Sequence, residues 1–111
     1  MTISVRPLEH AQIVDVSGDV DLKNSPLLRE KLMQALKETP RVVLNLSAIR
    51  YIDSSGIAVM IEVLKASQRL NRQFVLFGMS PAVYNVFKLT HVLKIFQVAE
   101  TEEQALGVLK A

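Results

Sequence analysis

The sequence predicts an α/β domain built on a mixed, mostly parallel sheet of about five strands with about four helices, entered through a β-hairpin. Three observations lead there. Two continuous β-branched and leucine runs, "RVVLNL" from Arg41 and "QFVLFG" from Gln73, read as strands covered on both faces. Two Ser-Pro pairs, Ser25-Pro26 and Ser80-Pro81, open apolar-periodic segments as helix starts do. Strand and helix patterns then alternate along the chain, which favours parallel strands joined by right-handed crossovers.

Each element follows from its own pattern. Thr2 to Leu8 sets Ile3 and Val5 between polar neighbours, and Ala11 to Val16 repeats the pattern through Ile13 and Val14. Two antiparallel strands are therefore expected across a tight Glu9-His10 turn. "SGDVDLKNSP" reads as a loop with a brief extended piece around Val20. Ser25 is expected to cap the first helix, whose Leu28, Leu32, Ala35 and Leu36 keep helical spacing until Thr39-Pro40 ends it. Ile57, Met60, Ile61 and Leu64 recur at three and four, giving an amphipathic helix from about Ser55 to Leu70 with Asn71 as a left-handed C-cap. The helix opened by Ser80-Pro81 carries Val83, Val86 and Phe87. "KIFQV" reads as a short last strand, and Thr101 with Gln104 as a capping box for a final helix through Leu106 and Leu109. No linker or repeat interrupts this order, so residues 1–111 read as a single domain.

Composition narrows the function. The chain has 111 residues, of which 50% are hydrophobic and 22% charged, a soluble globular balance. It has no cysteine, which removes disulfides, thiolate chemistry and cysteine-based zinc sites. The net charge is only +2 and the basic residues are scattered, with no stripe suited to nucleic acid. The N-terminus lacks the pattern of a signal peptide, and no apolar run suits a membrane-spanning helix. A cytoplasmic protein without membrane insertion is the expectation.

One stretch invites a function. "IDSSG" places Asp53, Ser54, Ser55 and Gly56 between an apolar strand and an apolar helix. Functional sites of α/β sheets gather beyond the carboxyl ends of strands, and a helix start adds unpaired amides and partial positive charge. A hydroxyl there is placed to accept a modification, and Gly56 would let another molecule approach the backbone. The same residues are also common as a plain helix cap. Spacing leaves both readings open, and it does not separate Ser54 from Ser55. Catalysis is not expected: the nucleophile elbow G-x-S-x-G lacks its first glycine, His10 and His91 sit in turns without a carboxylate partner, and no phosphate loop, metal-ligand spacing or cofactor motif is present.

Three pieces in order carry a resemblance: Gly18, Asp19, Val20 and Asp21; the "LNLS…IDSSG" block; and Met79, Ser80, Pro81, Ala82 and Val83. Together they make the chain resemble the bacterial anti-sigma factor antagonists of the STAS domain family, over nearly its whole length and least over the first dozen residues. The resemblance implies a STAS-type domain with no activity of its own. It implies that a serine-kinase anti-sigma factor, an ATP-binding protein of histidine-kinase-like fold, phosphorylates Ser54, with Asp21 and Asp53 beside it. The unphosphorylated form would bind that kinase and free the sigma factor, and a separate serine phosphatase would reset it. Ile57 and Met60, with the loops of Asp21 and Met79, would border the docking face, although both helix residues also suit a core. The family is often acidic, and a pI near 9.1 suggests a more acidic partner surface. The competing expectation is an accessory subunit of an ABC-type lipid transport ATPase, in which the serines serve only as a cap.

Overall fold

The computed structural model describes residues 1–109. The chain runs β1 (Thr2–Leu8), β2 (Ala11–Val20), α1 (Ser25–Glu38), β3 (Arg41–Ile52), α2 (Ser54–Arg69), β4 (Gln73–Phe77), α3 (Pro81–Leu89), a 3₁₀ turn (Leu93–Ile95), β5 (Gln97–Ala99) and α4 (Glu102–Gly107). The strands lie in sequence order as one five-stranded sheet. β1 is antiparallel to β2, and β2, β3, β4 and β5 are mutually parallel. The expected fold class is the one observed.

The period-2 pattern of the strands divides the core in two. Val14, Val16, Val42, Leu44, Leu46, Phe74 and Leu76 point to the face covered by α1, α2 and α3, where Leu28, Leu32, Met60, Val63 and Phe87 meet them. Ile13, Val43, Val75 and Phe77 point the other way, onto Ala105 of the short α4. This explains why β3 and β4 read as continuous apolar runs. On the α4 side, Arg6 grips Asp15 through two hydrogen bonds of 2.6 and 2.8 Å and donates to Glu102 at 2.6 Å, tying β1, β2 and α4 together.

Several local expectations need correction. The segment read as a loop after Ser17 is strand as far as Val20, because Gly18 at φ 88 and register shifts near Ser17 and Asp19 let β2 keep pairing with a β3 that is longer than "RVVLNL". Ser25 does not cap α1: the N-cap is Asn24, and Ser25 is buried with Pro26 beside it in the first turn. The Ser80-Pro81 start holds, since the Ser80 hydroxyl accepts from the Val83 amide at 3.2 Å. "KIFQV" is half strand only, its Lys94 and Ile95 lying in the 3₁₀ turn. The box at α4 is one-sided. Thr101 accepts from the Gln104 amide at 3.1 Å, but the Gln104 side chain accepts from Glu100 instead of Thr101. α4 ends at Gly107, short of Leu109. Asn71 adopts φ 57 as expected of the α2 terminus.

Candidate functional site

Because β2 and β3 run parallel with Val20 opposite Ile52, their next residues, Asp21 and Asp53, emerge side by side at the carboxyl end of the sheet. The Asp53 amide donates to the Val20 carbonyl at 3.2 Å and joins the two strand exits. There Asp53 caps α2. Its Oδ1 accepts from the amides of Ser55 at 2.9 Å and Gly56 at 3.3 Å, and from the Ser55 hydroxyl. These bonds stabilise the ionised carboxylate. The Ser55 hydroxyl, followed by the Gly56, Ser55 and Leu22 backbone amides, lowers the Asp53 pKa from its ordinary value against the opposing effect of burial.

The two serines are thereby distinguished. Ser55 is half-buried, with its hydroxyl committed to Asp53. Ser54 is exposed, and among the described residues its hydroxyl has no hydrogen-bond partner. Phosphorylating Ser55 would remove a cap bond and press a dianion onto Asp53. Ser54 could take the same group into solvent.

Gly56 has a different role from the one its sequence suggests. It is buried, and an added Cβ would lie 2.7 Å from Ile52 Cγ1 and 2.9 Å from Val20 Cγ1. The missing side chain lets α2 start tight against the strand ends; it does not open the backbone to another molecule.

Asp21 belongs to a braced turn. Its Oδ1 accepts from the amides of Lys23 at 3.0 Å and Asn24 at 3.1 Å, the Asn24 Oδ1 accepts from the Asp21 amide at 2.9 Å, and the Asn24 Nδ2 donates to the Asp19 carbonyl at 2.8 Å. The Ser25 amide completes it with a 2.8 Å bond to the Asp21 carbonyl. Met79, half-buried, follows β4 at this same end of the sheet.

Ile57 and Met60 do not line a docking face. They are 4% and 0% exposed and belong to the main core, because the apolar stripe of α2 turns inward from its first turn. The side chains that sequence reasoning missed are Leu22, 75% exposed beside Asp53, and Tyr51, exposed on β3. Nothing in a polar-flanked loop pattern marks Leu22, since exposure of an apolar residue is set by the turn around it.

His10 and His91 lie at the opposite end, in the connections that lead into β2 and β5, with φ values of 66 and 61. No cluster of three or more His, Asp or Glu side chains suited to a metal ion occurs among the described residues. No described helix is long and apolar enough to cross a membrane.

Known proteins share this fold and sequence pattern. The STAS domain family model matches residues 2–105. BtrV of Bordetella bronchiseptica, proposed to be an anti-sigma factor antagonist, is 32% identical over 111 residues, spanning 99% of this chain and 96% of that one. The anti-sigma-B factor antagonist of Listeria monocytogenes is 27% identical over 106 residues, spanning 95% and 92%. Among solved structures, an anti-sigma factor antagonist from Mycobacterium paratuberculosis superposes with a TM-score of 0.90 at 23% identity, covering 99% of this chain and 94% of its own. The Bacillus cell fate determinant SpoIIAA in its phosphorylated form superposes at 0.74 with 18% identity, covering 98% and 100%.

Proposed function

The chain belongs to the STAS domain family of anti-sigma factor antagonists, and from that premise we propose that it is a phosphorylation-controlled binding switch with Ser54 as the acceptor. In its unphosphorylated form it binds a serine-kinase anti-sigma factor and so releases the sigma factor. The kinase transfers the γ-phosphoryl group of ATP to the Ser54 hydroxyl, whose proton leaves to a base on the kinase. The complex then separates, and a serine phosphatase hydrolyses the phosphoester. The names of the relatives, and a fold neighbour solved in a phosphorylated form, favour this reading. The observation that carries it is the contrast between the unengaged, exposed Ser54 and the committed Ser55.

The mechanism is exclusion at an interface, without refolding. A phosphoserine adds a charge of about −1.5 to −2. Of the first four amides of α2, three are already taken: Ser55 and Gly56 by the Asp53 carboxylate, and Ile57 by the Asp53 carbonyl. The neighbouring carboxylates of Asp21 and Asp53 repel it as well. The new charge therefore stays outward, where a partner must dock, and desolvating it there is costly.

The test is a pull-down from the source cells with the wild-type protein and Ser54→Glu as baits. The reading requires the wild type to capture a histidine-kinase-like ATPase that Ser54→Glu loses. If both baits hold the same transporter ATPase, the serines are a cap and the chain is an accessory subunit.

A further inference from the structure

Leu22 stands 75% exposed on a turn that has no conformational need of it. The bonds of Asp21, Asn24 and Ser25 that fix this turn involve only those side chains and the local backbone. Leu22 contributes its amide, which faces the Asp53 carboxylate directly before Ser54. A polar residue would serve the turn equally well and would not leave an apolar side chain in water. What the bracing achieves is a fixed position for a leucine beside the candidate acceptor. With the backbone of the turn already fixed, only the leucine rotamer remains to be ordered when the side chain enters a pocket, which lowers the cost of using it as an interface hot spot.

The charge around it defines the occupant. Residues 19–24 and 50–54 carry Asp19, Asp21 and Asp53 against Lys23 and Arg50. Residues 63–99 carry Lys65, Arg69, Arg72, Lys88 and Lys94 with no Asp or Glu, so the positive charge behind the high pI lies outside the serine end. An acidic partner surface, expected from the pI, would meet carboxylates at this end.

We propose that Leu22 is the apolar anchor of the docking surface and inserts into an apolar socket of the anti-sigma kinase whose rim is neutral to basic. The proposal rests on the switch reading above and adds the anchoring residue and the chemistry of the partner's face. A phosphate on Ser54 would stand at the rim of that socket, which gives exclusion a definite place.

The test uses the captured kinase, purified, with its affinity for each variant measured by titration calorimetry and each variant's Tm recorded. Leu22→Ala should weaken binding at least tenfold at unchanged Tm. Leu89→Ala removes the same atoms from a leucine 77% exposed at the far end of α3, and should leave affinity within about twofold, in line with the small contribution of residues outside an interface. If Leu22→Ala binds like the wild type while Ser54→Glu fails to bind, the anchor is refuted and the switch stands. If Leu22→Ala weakens binding and Ser54→Glu does not, the anchor stands and the switch is refuted. Capture of no such kinase overturns both.

Discussion

The two ends of the parallel sheet are built from opposite devices. At the carboxyl ends of the strands, the polypeptide is held by side chains: Asp53 on the start of α2, Asp21 and Asn24 on their own turn, and Ser80 on the start of α3. At the other end, three of the four connections reverse through left-handed backbone conformation. Among the described residues, the three non-glycine residues with positive φ, His10, Asn71 and His91, lie in the connections that lead into β2, β4 and β5. Asn and His are among the residues that tolerate this left-handed region best. Each end exposes a leucine, Leu22 or Leu89, to nearly the same degree. Exposure alone therefore does not mark a site. The serine end differs because hydrogen bonds hold its turn and helix start while leaving one hydroxyl free.

The largest expected effect tests the boundary between that end and the core. Ile57→Ala should destabilise the protein by about 2–5 kcal/mol, as large-to-small changes of buried side chains do. Melting curves of this variant beside Leu89→Ala, which should stay within about 0.5 kcal/mol of wild type, measure the contrast. A small loss at Ile57 would return that residue to the surface and to the docking face.

The cap comes next. The folded state lowers the Asp53 pKa, so the stability this group contributes is fully present above its unfolded value and is lost as pH falls through the folded one. Asp53→Ala should cost about 0.5–2 kcal/mol near neutral pH. It should also flatten part of the acid limb of a stability profile, leaving the share due to Asp15, whose pKa is lowered by hydrogen bonding to Arg6 and then Asn45. An unchanged acid limb would mean that Asp53 is not holding the helix start.

The smallest effect separates the serines. Ser55→Ala should lose about 1 kcal/mol with its bond to Asp53, whereas Ser54→Ala should change stability by less than about 0.5 kcal/mol. Equal losses in denaturant titrations would erase the distinction on which the choice of Ser54 rests.

Much of this was legible in the sequence, for identifiable reasons. The layer order followed from periodicity, since β3 and β4 are apolar on both faces and the helices on one. The end of the sheet carrying Asp53 followed from the position of its motif after a strand, whereas Asp21 was set beside it only by the family resemblance. Pairing across strands was not legible. The extension of β2 to Val20 depends on Gly18 and on a partner strand remote in sequence, and the burial of Gly56 depends on Val20 and Ile52 lying together. Ser25 and Ser80 share the same dipeptide, yet only Ser80 caps, because Asn24 and Asp21 have already shaped the turn before α1. Ile57 and Met60 suited either core or interface until the rotation of α2 was known.

The most direct measurement of the central claim is a comparison of amide NMR spectra of the chain with serine and with phosphoserine at position 54. Exclusion without refolding predicts changes confined to residues 20–25 and 52–58, with the core and the far end of the sheet unmoved. Shifts spreading through β4, α3 and the residues packed on Phe87 would contradict it and show that the phosphate acts by changing the fold.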